Sequence, residues 1–411
     1  MTLRTYQQEI IDQAIGIIKA HRFVYLAMQV RTGKTLTALG ITDKINETGT
    51  PIQNVLFVTK KKAIKSIEDD VNKLPRGYNT TVINYESTHK IPKVKWDVVI
   101  IDEAHRIGAF PKPNLAAKFF KALSDKQNPI FILLSGTPTP ESYAQMYHQV
   151  YFIRTSPFSQ FPTFYKFASA YVNVRERVIN SFPIKDYSDG KKDIILMMKP
   201  YTINYTQQEA GFVSTIKEHI LYVDIKEETD NIIKRLKKDL VVQGRGEVIL
   251  ADTPVKLMSK LHQLYSGTIK FESGNSMVID DSKARFIYNR FAGKKIGIFY
   301  KFKEELNALL SEYGDELTED LEEFNNTGKS IALQILSGRE GISLRNADCL
   351  VYYNIDFSAT SYWQSRDRMT TIDRKDSDIY WIFSRDGIEG NIYNVIKKKK
   401  NFTINHFKKL L

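Results

Sequence analysis

The sequence predicts an α/β protein of two tandem domains. Each is a mostly parallel sheet with helices on both faces, and an accessory segment lies between them. Three observations carry this expectation. Short apolar runs alternate with helical segments in two separate stretches, the pattern that buries a parallel sheet under helices. The 411 residues suffice for two to three domains, at roughly 100–200 residues each. The composition is 42% apolar and 12% aromatic, which belongs to a folded chain and not to a disordered one.

The first stretch runs to about residue 155. Phe23–Met28 reads as a buried strand and Lys34–Asn46 as a helix with Leu36, Leu39 and Ile45 on or near one face. Val55–Thr59 is the next strand, after the turn-like Thr50-Pro51, and Lys62–Lys73 is helical. Val82–Tyr85 and Val98–Asp102 are short strands, Leu115–Ser124 a helix and Ile130–Leu134 a strand. Residues 156–215 differ. They are rich in Phe, Tyr, Ser and Pro and break up around Phe182–Lys192, so they read as an accessory or connecting segment. Phe152–Tyr171 is read as packing for a helical bundle, with base stacking as the alternative. The second stretch, 216–411, resumes the alternation. Its strands are Lys295–Tyr300, Ile331–Leu336, Leu350–Ile355 and Ile379–Phe383, and its helices are Phe302–Tyr313, Ala359–Met369 and Ile388–Lys398.

Charge and cysteine content narrow the function classes. Lys plus Arg number 59 against 47 Asp plus Glu, a net charge of +12, which favours an anionic partner. The single cysteine, Cys349, opens an apolar run. It excludes an internal disulfide framework and multi-cysteine metal sites and suits a reducing cytosol. The N-terminus lacks the basic-then-apolar pattern of a signal peptide, and no apolar run is long enough to span a bilayer. No membrane partner is expected.

Three motifs carry chemistry. Thr32-Gly33-Lys34-Thr35 follows a predicted strand and opens a predicted helix. Backbone N–H groups at a helix start face a phosphate, a glycine allows close approach, the lysine reaches the β- and γ-phosphates and the hydroxyl of Thr35 ligates Mg²⁺. The first glycine of the full G-x-x-x-x-G-K-[ST] pattern is replaced by Met28. Asp102-Glu103-Ala104-His105 ends a strand about 70 residues later, where Asp102 suits Mg²⁺ binding and Glu103 suits orienting an attacking water. Ser135-Gly136-Thr137-Pro138 follows another apolar strand.

In this order the motifs resemble those of the superfamily 2 helicases and translocases. The series is most similar to the Swi/Snf-type ATPases, in the small form found in phage and prophage genomes, with a DEAH-type motif II. The resemblance spans residues 3 to about 374. Leu3-Arg4-Thr5-Tyr6-Gln7 is similar to the adenine-reading Q motif, with Arg4 and Gln7 on the nucleotide. Thr32–Thr35 is similar to motif I, Val55–Lys60 to Ia, Ile83–Ser87 to Ib, Asp102–His105 to II and Ser135–Pro138 to III. Ile296–Phe302 resembles motif IV, Ser337–Leu344 motif V and Gln364–Arg368 motif VI.

The resemblance implies two RecA-like domains with ATP and Mg²⁺ between them. Lys34, Asp102 and Glu103 are then catalytic, with Arg368 as an arginine finger. His105, Ser135, Gly136, Thr137 and Gln364 couple the sites. Thr59, Lys60, Tyr85, Arg106 and Ser343 line a nucleic-acid track. The second arginine of motif VI is Thr371 here, and Arg374 lies beyond it; Arg374 is taken as the second cation. The implied activity is a monomeric ATP-dependent motor on double-stranded or forked DNA, in phage replication or recombination, in the host cytoplasm. An RNA helicase, or a DNA-binding scaffold with a weak or dead ATPase, are the alternatives.

Overall fold

The computed structural model describes residues 3–49, 51–73, 76–179, 182–211, 215–244, 246–338, 342–366, 368, 376–398 and 407. The chain forms two compact units, Met1–Gly211 and Phe212–Leu411. The first carries strands β1 (Phe23–Met28), β2 (Asn54–Thr59), β3 (Asn79–Asn84), β4 (Val98–Ile101) and β5 (Ile130–Leu134). A hairpin, β6 (Arg175–Ile179) and β7 (Phe182–Asp186), precedes β8 (Thr202–Tyr205). Six of these form one parallel sheet in the order β3-β2-β4-β5-β1-β8.

The central strands are continuous apolar runs because both faces are covered. Alternate residues feed opposite cores. Val24, Leu26 and Met28 of β1 join Ile10, Ile11, Ala14 and Ile18 of α1 (Thr5–His21) and Leu39, Ile41 and Ile45 of α2 (Lys34–Glu47). Phe23 and Tyr25 face the other way, into a core with Phe120, Tyr147, Phe152, Phe158 and Phe167. The aromatic segment Phe152–Tyr171 therefore packs against the sheet: Phe152, Phe158, Phe164 and Phe167 are buried, and Tyr165 is exposed. The expected accessory segment is integrated with the first unit, since β8 pairs along β1 from Tyr25 with Thr202 to Met28 with Tyr205.

The second unit opens on β9 (Thr215–Val223). Two hairpins follow, β10 (Val241–Gly244) with β11 (Glu247–Leu250) and β12 (Thr268–Lys270) with β13 (Ser276–Val278). Then come β14 (Ile296–Tyr300), β15 (Leu317–Thr318), β16 (Ser330–Gln334), β17 (Cys349–Tyr352) and β18 (Asp376–Ser384). The parallel sheet runs β15-β16-β14-β17-β18-β9. Cys349 is a buried core thiol. The fold class is α/β with two parallel sheets flanked by helices, as the sequence predicts.

Some boundaries differ from expectation. The strand expected to reach Ile355 stops at Tyr352. Asn354 turns its side-chain oxygen to accept the next backbone N–H, of Ile355, at 2.7 Å, a local bond that competes with the ladder. The strand expected to reach Leu336 stops at Gln334, where Ile335–Gly338 begins a helical turn. The helix expected to reach Met369 ends at Arg366. No helix among the described residues is long and apolar enough to cross a membrane.

Candidate functional site

Three neighbouring strands, β4, β5 and β1, end together, and each hands the chain to one of the motifs. Their carboxyl ends are where open α/β sheets hold ligands. After β1 the chain makes a tight loop in which Arg31 (φ 64°) and Gly33 (φ 77°) adopt left-handed backbone. Only glycine suits position 33. A Cβ there meets Gln7 Nε2 at 2.5 Å. That amide donates to Gly33 O at 3.2 Å and to Thr37 Oγ1 at 3.2 Å, while Gln7 Oε1 accepts Arg4 N at 3.0 Å. The Tyr6 hydroxyl donates to Thr32 O at 3.1 Å. Gln7 and Tyr6 thus shape the loop from behind, with Gln7 buried and Arg4 exposed.

α2 begins directly at Lys34, so its first N–H groups and Thr35 stand at the loop's mouth. Lys34 Nζ lies 3.4 Å from Gln29 O, and the Thr32 hydroxyl donates to the same carbonyl at 2.8 Å. Gly136 closes the loop's other side. A Cβ there lies 3.5 Å from Met28 O and Val30 N and 3.7 Å from Lys34 Nζ.

Asp102 directly follows the last residue of β4 and is half-buried. Burial raises its carboxyl pKa, and the neighbouring Glu103 charge adds to the rise. The Thr59 hydrogen bond and the Lys34 and Lys60 charges pull the other way. Thr59 Oγ1 donates to Asp102 Oδ2 at 2.7 Å, and the Tyr85 hydroxyl donates to Asp102 O. Glu103 is held at φ 49°, with Oε2 3.3 Å from His105 Nδ1. His105 Nδ1 also lies 3.0 Å from Ser135 Oγ, which accepts Thr137 N at 3.1 Å. Motifs II and III are therefore joined by direct bonds.

A Mg²⁺ ion fits this donor set. A carboxylate and a hydroxyl are hard oxygen ligands, and Asp102 is a desolvated carboxylate whose charge a cation would stabilise. Thr35 and Asp102 are the residues that would hold it.

The residues expected on the nucleic-acid track divide. Thr59 is fully buried behind Asp102, and Tyr85 and Lys60 are nearly so, so their described positions support the acidic motif. Arg106 is exposed, 5.4 Å over the Tyr85 ring and 3.4 Å from Glu86. Ser343 is exposed in the second unit.

Arg368 lies just past the helix Ala359–Arg366, with Nη1 donating to Ile342 O at 3.3 Å. Its backbone oxygen accepts Leu344 N at 2.9 Å, which ties motif VI to motif V. Gln364 is on the helix, and its side chain lies outside the described residues, as do Thr371 and Arg374. Arg366, two residues before Arg368, lies 3.3 Å from Glu218 and stacks on Trp363 at 4.6 Å. The two arginines serve different surroundings.

Sequence reasoning missed Thr37, Gln29, Tyr205 and Gln207. All four bond the phosphate loop or pack against residues that do. None belongs to a local pattern, so no nearby signal marks them.

A loop and helix start after β1 and two acidic residues after β4, on either side of β5, give this parallel α/β core the layout of a nucleotide site. The chain belongs to the SNF2-related family: the SNF2-related domain matches residues 58–266, about half of the chain. Residues 1–82 match the res subunit of type III restriction enzymes. Chromodomain-helicase-DNA-binding protein 1 of Gallus gallus is 22% identical over 366 residues, covering 78% of this chain and 20% of that protein. The CHD3-type chromatin-remodeling factor PICKLE of Arabidopsis thaliana is 22% identical over 388 residues, covering 83% and 26%. The chain thus spans about a fifth to a quarter of these relatives. The Sulfolobus solfataricus SWI2/SNF2 ATPase core in complex with dsDNA aligns with TM-score 0.45 and 16% identity over 100% of this chain and 93% of that one.

Proposed function

We propose that this SNF2-family core is an ATP-hydrolysing motor on double-stranded DNA. The observation that carries the reading is the convergence of Lys34, Asp102, Glu103 and Gly136 at the ends of β1, β4 and β5, with His105 bonded to Ser135. Family membership and the net charge of +12 support an anionic polymer as partner.

Phosphoryl transfer to water rests on positioning and charge neutralisation. Thr35 and Asp102 would hold Mg²⁺, which when bound would supply charge neutralisation at the phosphates. Lys34 exchanges its contact with Gln29 O for a phosphate oxygen. Thr35 and the first amides of α2 hold the anion. Glu103 orients the attacking water and takes its proton. His105 senses that carboxylate and passes its state to Ser135 and Thr137. Arg368 and Arg374 supply positive charge to the transferred phosphoryl group, and Arg4 and Gln7 bind the adenine, Gln7 by giving up its bonds to Gly33 O and Thr37 Oγ1. Arg106 and Ser343 contact DNA phosphates, which confers affinity without sequence preference. A DEAH-type motif II, a monomeric state and a role in phage replication or recombination belong to the same reading and rest on the motif resemblance.

The test is turnover of the wild type and of Lys34→Ala with duplex DNA, single-stranded DNA and RNA. Duplex-stimulated hydrolysis that Lys34→Ala abolishes supports the reading. Stimulation by RNA alone makes it an RNA helicase. DNA binding without hydrolysis by the wild type makes it a scaffold.

A further inference from the structure

The phosphate loop is bonded to the last folded turn of the first unit. β8 ends at Tyr205, and Gln29 N continues the ladder by donating to Tyr205 O at 2.9 Å. Gln207 N donates to Gln29 Oε1 at 2.8 Å, and Gln207 Nε2 donates to Val30 O at 3.0 Å. The Tyr205 ring stacks on Tyr6, with centroids 4.7 Å apart and planes 18° apart; Tyr6 in turn holds Thr32 O.

The turn itself is stiff. Glu209 Oε2 accepts both Thr206 N (2.7 Å) and Thr206 Oγ1 (2.8 Å), and the Tyr205 hydroxyl donates to Glu209 O at 3.0 Å. The chain leaves the first unit through this turn, which ends at Gly211. The same residue that Gln207 grips, Gln29, offers its carbonyl to Lys34 and Thr32.

We infer that Gln207 is a positioning residue that couples the occupancy of the phosphate loop to the segment 205–211. This rests on the nucleotide reading of the loop. When Lys34 leaves Gln29 O for a phosphate oxygen, that carbonyl loses an ammonium partner. Thr32 still holds that carbonyl at 2.8 Å, but Gln29 and Val30 can shift, and the Gln207 bonds to Gln29 Oε1 and Val30 O are the ones that the shift loosens. The nucleotide therefore loosens segment 205–211 as well as changing the site.

Hydrogen exchange by mass spectrometry tests this, with and without Mg²⁺ and adenylyl imidodiphosphate. In the wild type, nucleotide slows exchange in residues 29–35 and speeds it in 205–211 by up to about tenfold, the worth of a typical net hydrogen bond. In Gln207→Ala, which removes the bond to Val30 O and keeps the backbone bond to Gln29 Oε1, 29–35 still responds and the nucleotide-dependent change in 205–211 shrinks. Gln207→Glu keeps the side-chain length, loses the donor to Val30 and behaves the same way; it serves if the alanine variant fails to fold by circular dichroism. A wild-type response confined to 29–35, or an undiminished response of 205–211 in both variants, overturns the inference and leaves the nucleotide reading standing. No response at 29–35 in the wild type overturns both.

Discussion

At Gly33 one methyl group would strain the phosphate loop. Gly33→Ala puts a side chain at φ 77° with its Cβ 2.5 Å from Gln7 Nε2. Strain of that kind costs about 1–3 kcal/mol. Isothermal titration should show weakened Mg²⁺-nucleotide binding, and thermal unfolding a lowered midpoint. Asp102 gives a second test at this scale, made in EDTA. Its folded pKa is pushed up to about 6 from 3.8. The folded carboxyl therefore binds its proton at higher pH than the unfolded one, and ionising it in place opposes folding. That cost is fully present above about pH 6, shrinks as pH falls through 6 and is gone below about pH 4. Asp102→Asn should accordingly be more stable than the wild type at pH 8, by on the order of 1–3 kcal/mol, and equal to it near pH 4. A constant difference across that range, read by thermal unfolding, refutes the burial argument.

The end of the helix Ala359–Arg366 separates two arginines that lie two residues apart in the sequence. Glu218 on β9 accepts the Tyr362 hydroxyl at 2.8 Å, Trp381 Nε1 at 3.0 Å and the Tyr393 hydroxyl at 2.8 Å, with Arg366 at 3.3 Å. Arg366→Ala removes the cation from a mostly buried pair, so it should destabilise the second unit by about 3–5 kcal/mol. Arg368→Ala, which gives up a bond to Ile342 O, should lower the unfolding midpoint less than Arg366→Ala does. If Arg368 is the finger, it should still bind ATP and hydrolyse it at least about 100-fold more slowly with saturating DNA. Denaturant melts and turnover on the two variants separate the roles. β1 and β5 were legible end to end because unbroken apolar runs sit between both cores. β8 and β9 were not. As edge strands they carry mixed sequences, TINY and TIKEHILYV, and owe their state to a neighbour far along the chain. The site divides the same way. Contiguous motifs showed in the sequence, whereas the bonds from Thr59 to Asp102 and from Gln207 to Val30 join distant residues with no shared pattern.

Across the whole molecule the net charge is +12, while the described track residues Thr59, Lys60 and Tyr85 are buried or nearly so. On the proposed reading as a motor on DNA, affinity rests on exposed cations such as Arg106 and on long-range attraction, and not on base edges. Binding should fall linearly in log affinity against log salt and hardly vary between unrelated duplexes. Fluorescence anisotropy over a salt series measures both, and a flat salt response or strong sequence discrimination counts against phosphate contact. The long relatives share about a fifth to a quarter of their length with this chain, so this test bears on the shared core alone.

The β9–β18 pairing orders the events of synthesis. β9 is the first strand of its unit to emerge, yet its partner is the last: Thr215 pairs with Asp376 and Val223 with Ser384. The first sheet has every strand once Tyr205 has been made. A growing chain thus carries a finished first unit while β9, with Ile220 and Tyr222 partly exposed even after folding, waits for its mate. Pairing so distant is slow, and an open strand is vulnerable to aggregation meanwhile. A nascent chain stalled before residue 376 should resist protease up to about Gly211 and be cut readily beyond it.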